Sequence, residues 1–171
     1  ICACLVGSEM CIRDRLVTAF DQVHHKITDA TLVIYGYGGE LDRLKQQVSQ
    51  LHLETAVTFA GYQPNLTMAY DQAGAYVYTG ESDAQPLSLI EALSHGVPAI
   101  AYDINYGPKD VLKDGKNGYL VTDGAVNQLV RALTRTLESP QRQQRLSKGA
   151  YRSSEQYSDE QVWQQWQPVV Q

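Results

Sequence analysis

The strongest constraint on the fold of this chain is a regular alternation of short apolar runs with segments of helical periodicity. Five short runs are almost entirely apolar, whereas a strand with one face in water would alternate apolar and polar residues. They therefore predict strands that are buried on both faces, at 30–35, 56–59, 75–78, 98–102 and 119–121. Apolar residues at three- and four-residue steps predict helices over 16–25, 40–51, 66–73, 87–95, 109–112 and 125–138, with two more closing the chain. This alternation predicts an α/β fold, a doubly wound parallel sheet covered by helices on both faces. Ligands of such a sheet bind beyond the carboxyl ends of its strands, so function should be sought in the turns that follow them.

The charge and hydropathy of the chain exclude two kinds of partner. Its 14 basic and 19 acidic residues give a net charge of −5, without the basic footprint of a nucleic-acid-binding protein. The longest apolar runs, such as 56–60 and 97–102, are far shorter than the roughly 20 residues of a membrane-spanning helix. We therefore expect no nucleic-acid partner and no membrane span in this chain.

The first fifteen residues break the pattern. All three cysteines, Cys2, Cys4 and Cys11, lie there, and 1–15 shows neither a helical nor a strand period. The stretch 4–15 resembles translated adapter sequence at the end of an assembled fragment, and a frayed native terminus is the alternative. We expect 1–15 to be non-native or disordered and 16–171 to form the domain. The cysteine-free remainder fits a reducing cytoplasm.

A glycine-rich turn follows the first predicted strand. Gly36, Gly38 and Gly39 open the next helix, where flexible backbone and exposed helix amides can hold a phosphate. A dinucleotide fingerprint requires a third glycine three positions after Gly38, but Leu41 stands there, which disfavours nicotinamide chemistry. A plain strand-to-helix turn is the alternative.

The most informative stretch is 79–98. Pro86 suits the first turn of a helix, and the loop before it carries Glu81 and Asp83. Glu91 lies one turn beyond Leu87 and Ser88. A carboxylate there can accept two hydroxyl hydrogen bonds, as a ribose diol offers, while the amides at the helix start can hold a diphosphate. This pattern predicts a nucleotide-sugar site bracketed by two acids.

Over 16–170 the chain resembles the C-terminal, donor-binding domain of a retaining glycosyltransferase of the two-domain, Rossmann-like GT-B type, in the glycosyl transferases group 1 family. The resemblance is carried by the motifs at 86–100, 102–108 and 114–121. Within that family these motifs are similar to those of Gram-positive enzymes that glucosylate teichoic acids or serine-rich adhesins. The resemblance also implies that the apolar stripe of the last helix packs against the partner domain.

The family motif consists of two glutamates separated by seven residues, the first near the sugar and the second on the ribose. Glu91 matches the second glutamate. Asp83 stands at the position of the first and is the candidate catalytic residue, although it is one methylene shorter and Ala84 replaces the usual glycine; Glu81 is a weaker substitute. By the same resemblance the donor-binding residues are Gly36, Gly38, Gly39, Leu87, Ser88 and Glu91. Arg13 and Arg15 do not inherit the roles of the family's basic pair.

The resemblance implies transfer of a hexose from a nucleotide diphosphate sugar, UDP-linked by expectation, to a cell-envelope polymer or protein. This chain would supply the donor-binding half, inactive alone, and a missing N-terminal domain would bind the acceptor. No metal or other cofactor is expected, and the sequence contains no Asp-x-Asp pair that could hold a cation on the diphosphate. We expect a cytoplasmic protein whose full length can associate peripherally with the membrane. The alternative is a non-catalytic module that binds a nucleotide sugar or stabilises a glycosyltransferase.

Overall fold

The computed structural model describes residues 10–36, 38–80 and 85–169. Its strands are all parallel and pair in two groups. β1 (Leu32–Tyr35) pairs with β2 (Val57–Gly61), while β3 (Tyr76–Tyr78) pairs with β4 (Ala99–Asp103), which also pairs with β5 (Gly118–Thr122). The predicted α/β class and parallel strands are confirmed. Within the described ranges, hydrogen bonds join the strands into one pair and one triplet.

Each predicted helix is present. In chain order these are α1 (Met10–His24), α2 (Leu41–Gln50), α3 (Thr67–Gln72), α4 (Leu87–Ser94), α5 (Pro108–Val111), α6 (Val126–Leu137), α7 (Pro140–Ser154) and α8 (Asp159–Trp166), with a 3₁₀ turn at Glu155–Tyr157. α1 begins at Met10 rather than at the predicted Leu16. In the part of the chain that the structure describes, no helix is both long and apolar enough to cross a membrane.

The helices cover the strands with the apolar faces that the periodicity predicted. On α1, the side chains of Leu16, Ala19, Phe20 and Val23 are at most 2% exposed, and the helix packs against α6 and α2. Burying Leu16 and Phe20 contributes about 1.5–3 kcal/mol each. Elsewhere α4 packs against α7. The side chains of β3 and the first four of β4 are buried, as strands covered on both faces require.

The last helix keeps its apolar stripe in solvent. On α8, Val162, Trp163 and Trp166 are 40%, 57% and 56% exposed. Large exposed side chains in one stripe are typical of a surface that another protein or domain covers. The packing of this stripe on a partner domain stays a prediction.

Candidate functional site

The carboxyl ends of β1 and β2 are joined through backbone at the glycine-rich turn. Gly36 donates its N–H to the carbonyl of Gly61 with an N···O distance of 2.8 Å. The φ angle of Gly36 is +107°, a conformation that residues with a Cβ rarely adopt. Gly38 and Gly39 follow, exposed, and lead into α2. The structure thus places all three predicted donor-binding glycines at the carboxyl edge of the strands, beside the start of a helix.

The start of α4 lies at the carboxyl edge of β3. Its first residue, Leu87, comes directly after Pro86, and the Leu87 side chain is 68% exposed. The Leu87 amide donates to the carbonyl of Gln85 at 2.8 Å, while the amides of Leu89 and Ile90 turn back to the Pro86 carbonyl at 3.0 and 3.1 Å. The positive end of the helix dipole favours an anion here. A phosphate contact at the Leu87 amide would have to share or replace its bond to Gln85.

Glu91 lies on the second turn of α4 and is supported from α3. One of its carboxylate oxygens, Oε2, accepts a hydrogen bond from the hydroxyl of Tyr70 at 3.2 Å, and the same hydroxyl lies 3.4 Å from the carbonyl of Ser88. Tyr70 is 1% exposed, whereas Glu91 is exposed. An ionised carboxylate has about four acceptor positions, so this bond leaves Glu91 able to accept further hydroxyl groups.

Ser88 is held by a second buried tyrosine. The hydroxyl of Tyr76, which lies at the start of β3, donates to Ser88 Oγ at 2.9 Å. The rings of Tyr70 and Tyr76 are 6.2 Å apart and tilted by 59°. Of the three predicted donor contacts on the first turns of α4, Ser88 and Glu91 are therefore hydrogen-bonded by buried tyrosines of other elements, and Leu87 is not bonded by any described tyrosine.

The Tyr70 ring is itself fixed at the far end of α4. It stacks on His95 with ring centroids 5.2 Å apart and 24° between planes. His95 Nδ1 lies 3.0 Å from Asp71 Oδ1. This arrangement gives His95 a supporting role and explains why it sits directly after the helix. Sequence reasoning missed Tyr70 and Tyr76. The signal available was the presence of tyrosine, not phenylalanine, at buried positions, since a buried hydroxyl requires a partner.

The predicted catalytic residue, Asp83, lies outside the described residues, as do Glu81 and Ala84. Two described residues, Thr79 and Gly80, connect β3 to that loop, and Thr79 is 2% exposed. Its hydroxyl has no hydrogen-bond partner among the described residues. A buried polar group without a partner is costly, so Thr79 joins the candidate ligand contacts at this edge.

A titratable group lies on the neighbouring strand. Tyr102, in β4, is 1% exposed, and its hydroxyl makes no hydrogen bond with any residue that the structure describes. Burial raises the pKa of the Tyr102 phenol; the charge of Arg15 opposes this shift and that of Asp123 adds to it. Arg15 Nη1 lies 3.6 Å from Asp123 Oδ1. Arg15 therefore contacts the turn after β5, and the absence of a donor role for it stays a prediction.

The chemistry available at this edge is that of anion and hydroxyl recognition. A helix start, flexible glycine backbone, a buried threonine hydroxyl and one supported carboxylate are present. Among residues 10–36, 38–80 and 85–169, no three His, Cys, Asp or Glu side chains are grouped so that they could hold a metal ion. The site thus offers contacts for a phosphate and a sugar diol.

Comparisons with known proteins identify relatives along most of the chain. Poly(glycerol-phosphate) alpha-glucosyltransferase of Bacillus subtilis (strain 168) is 29% identical over 150 residues, which cover 88% of this chain and 22% of that protein. The GtfA subunit of a Streptococcus gordonii UDP-N-acetylglucosamine–peptide N-acetylglucosaminyltransferase is 31% identical over 163 residues, covering 92% and 32%. A variant of S. aureus TarM, crystallised with fondaparinux, alpha-GlcNAc-glycerol and UDP, matches with a TM-score of 0.89 at 26% identity, covering 96% and 34%.

The chain spans between 22% and 34% of the length of these three relatives. Its fold of parallel strands and covering helices matches the GT-B, Rossmann-like architecture predicted from the sequence. The predicted resemblance is confirmed as well. Because the profile described as glycosyl transferases group 1 matches residues 13–153, most of the chain, this protein belongs to the glycosyl transferases group 1 family.

Proposed function

We propose that this chain is the donor-binding half of a retaining glycosyltransferase that moves a hexose from a UDP-sugar to a cell-envelope polymer or protein. The observation that carries the proposal is the position of Glu91. It lies on the turn of α4 that follows the helix start, and its Oε2 accepts the Tyr70 hydroxyl at 3.2 Å. UDP is present in the structures of TarM and of the pneumococcal transferase GtfA, which supports a uridine nucleotide as the donor carrier.

In this proposal the two turns of α4 bind different parts of the nucleotide. The positive helix start attracts the diphosphate, and Glu91 accepts hydrogen bonds from the ribose diol. Thr79 and the turn of Gly36, Gly38 and Gly39 complete the donor side. As the sugar leaves, charge develops on the diphosphate, and the preorganised amides at the start of α4 stabilise it there.

Asp83 has the catalytic role in the proposal, as the carboxylate nearest the transferred sugar. Its shorter side chain reaches the sugar hydroxyls if the loop lies closer to the donor than a glutamate would require. Asp83→Asn keeps the shape and removes the charge, so we expect transfer to fall by more than tenfold in the full-length enzyme while UDP affinity changes by less than about twofold. Equal loss of both would make Asp83 a nucleotide-binding residue.

The nucleotide contact is tested by calorimetry with UDP on the chain and on Glu91→Ala. Loss of a hydroxyl–carboxylate contact costs about 1–3 kcal/mol, so we expect UDP affinity to fall about 5- to 150-fold. Glu138→Ala, which removes an exposed carboxylate at the end of α6, is the matched control and should leave the affinity unchanged. An unchanged affinity in Glu91→Ala would refute the ribose role.

The assignment of transfer to a larger assembly is tested separately. Incubated with UDP-glucose or UDP-N-acetylglucosamine and a polyol-phosphate or peptide acceptor, the 171-residue chain should bind nucleotide weakly and transfer no sugar, because acceptor contacts belong to a further domain. Turnover by the chain alone would contradict the two-domain interpretation. Nucleotide binding without turnover in any longer form of the protein would instead favour a non-catalytic module.

The proposal also covers the acceptor and the location of the protein in the cell. Relatives act on a poly(glycerol-phosphate) and on a peptide, so we propose an acceptor of one of these two kinds. The net charge of −5 disfavours nucleic acid. The proposal includes a cytoplasmic location, peripheral membrane association of the full-length form, and a transfer that needs no metal. Fractionation of the source cells tests the location.

A further inference from the structure

A cavity lies away from the donor edge, at the amino end of β5. Its volume is about 410 Å³, and it lies between the turn that leads into β5 and the face of α7. The lining residues are Gly115, Lys116, Arg145, Lys148, Gly149, Arg152 and Ser153. None of them belongs to the candidate donor site, which occupies the carboxyl ends of the strands.

The lining is strongly basic. Four of its seven residues carry a positive charge, and none of the lining residues described is acidic, although the whole chain has a net charge of −5. Arg145, Lys148 and Arg152 follow one another at three- and four-residue steps, which places them on one face of α7. Lys116 faces them from the turn. Four like charges around one concavity repel each other unless an anion lies between them.

Two features of the fold bring this turn and α7 together. At Gly149 an added Cβ would lie 2.0 Å from the carbonyl oxygen of Lys116, so only glycine allows the helix to approach the turn this closely. The turn is fixed by the fully buried Asn117, whose Oδ1 accepts from the Lys113 amide at 2.7 Å and whose Nδ2 donates to the Val111 carbonyl at 3.1 Å. The basic groups therefore stand on fixed backbone.

The four basic side chains are not neutralised within the described protein. Over 10–36, 38–80 and 85–169, none of them forms an ion pair or a side-chain hydrogen bond, in contrast to Arg43, which lies 2.6 Å from Asp14. The neighbouring carboxylate, Asp114, accepts the Leu120 amide at 3.2 Å and lines a different cavity. The cavity thus presents free positive charge.

We propose that this cavity binds an anion carrying two or more phosphate groups, free or in a phosphodiester chain. Arginine binds phosphate through paired N–H donors and lysine through its point charge, and both are present here. A volume of about 410 Å³ lies within the range of small-ligand pockets. The seven lining residues include no exposed apolar side chain that could enter a lipid interface, so the cavity suits a phosphate chain better than a membrane surface.

The test is a titration of inorganic tripolyphosphate into the ¹⁵N-labelled chain, followed by amide NMR, in which the amides of Gly36 and Gly38 report separately on any binding at the donor edge. We expect saturable shifts centred on the amides of Gly115, Lys116 and Gly149. The exposed double variant Lys148→Gln with Arg152→Gln should weaken this binding at least about tenfold. The outcome does not depend on the donor-site proposal, because Gly115, Lys116 and Gly149 lie away from the carboxyl ends of the strands.

The control variant carries Lys26→Gln and Lys45→Gln, which remove the same charge from exposed positions elsewhere. It should retain the affinity of the unmodified chain within about twofold. Equal weakening in both variants would reduce the effect to general charge attraction and overturn the proposal. So would an absence of shifts at the three amides, or binding to vesicles of phosphatidylglycerol and phosphatidylcholine that requires Lys148 and Arg152 while tripolyphosphate does not bind.

Discussion

Tyr70→Phe is the variant that best tests how the candidate site is held. The substitution removes one hydroxyl and keeps the ring that stacks on His95 at 5.2 Å. That hydroxyl donates to Glu91 Oε2 at 3.2 Å. A hydrogen bond to a charged acceptor is worth about 1.5–3 kcal/mol. Because Glu91 is exposed, water can replace the lost donor, so we expect the variant to lose about 1 kcal/mol of ligand-binding free energy.

The assay compares UDP with 2′,3′-dideoxyuridine diphosphate, which lacks the hydroxyls that Glu91 is proposed to accept. Tyr70→Phe should weaken UDP about fivefold and leave the dideoxy nucleotide unchanged. In a Glu91→Ala background it should have no further effect on UDP, because the contact that it supports is already absent. Both results would make Tyr70 a positioning residue for the ribose contact.

Tyr76→Phe is the matched control. Its hydroxyl donates to Ser88 Oγ at 2.9 Å. Its loss should therefore lower the folding stability about as much as Tyr70→Phe does, but it should change the affinities for UDP and for the dideoxy nucleotide equally. If Tyr70→Phe weakens both nucleotides equally, its hydroxyl acts through the fold and the reasoning fails. If it changes neither affinity, Glu91 needs no support from α3.

Three further predictions concern stability and are checked by thermal unfolding, in which 1 kcal/mol shifts Tm by roughly 2–4 °C for a chain of this size. Gly149→Ala should lower Tm although alanine favours helices, because its Cβ would lie 2.0 Å from a backbone carbonyl oxygen, an overlap that costs about 1–3 kcal/mol, whereas Gly39→Ala, with nothing within 4 Å, should change little. Asn117→Ala should cost about 2–4 kcal/mol by leaving one buried and one part-buried backbone group unpaired, and Asn127→Ala on the exposed face of α6 should be near neutral. Tyr102→Phe should not lower Tm at neutral pH. Because burial raises the pKa of Tyr102 in the folded state, the stability of the unmodified chain should fall as pH rises above about 10, and the variant should show a weaker fall; a loss at neutral pH would show that the hydroxyl has a partner.

The fold could be predicted from the sequence because strand and helix periods are local signals. The start of α1 could not. Its first residues lack an apolar stripe, and part of that segment is stabilised by tertiary contacts: Asp14 lies 2.6 Å from Arg43, and the Asp14 carbonyl accepts from Gln47 at 2.9 Å. A contact across 33 residues leaves no trace in a periodicity. The non-native origin of 1–15 stays a prediction.

Part of the candidate site could likewise be predicted from local sequence signals, and part could not. Glu91, Ser88 and the three glycines could be identified because they form motifs within a few residues of a strand or helix end. Tyr70 lies 21 residues from Glu91, and only the folded chain shows that its hydroxyl reaches the carboxylate. The basic cavity also joins distant segments, since Lys116 and Gly149 meet only in the folded chain.

Buried tyrosines explain how an exposed helix start can hold a defined geometry. The chain has 11 tyrosines and only two phenylalanines, and tyrosine occupies buried positions where phenylalanine would fill the same space. A buried hydroxyl usually has a hydrogen-bond partner, so a bonded tyrosine such as Tyr70 or Tyr76 fixes a distance that phenylalanine would leave free. Two of these hydroxyls end on Ser88 and Glu91, which are the α4 residues proposed to contact the nucleotide. Replacing either hydroxyl should therefore weaken the α4 contact that it supports while leaving the apolar core intact. The loss of ligand affinity can then be measured separately from the loss of folding stability.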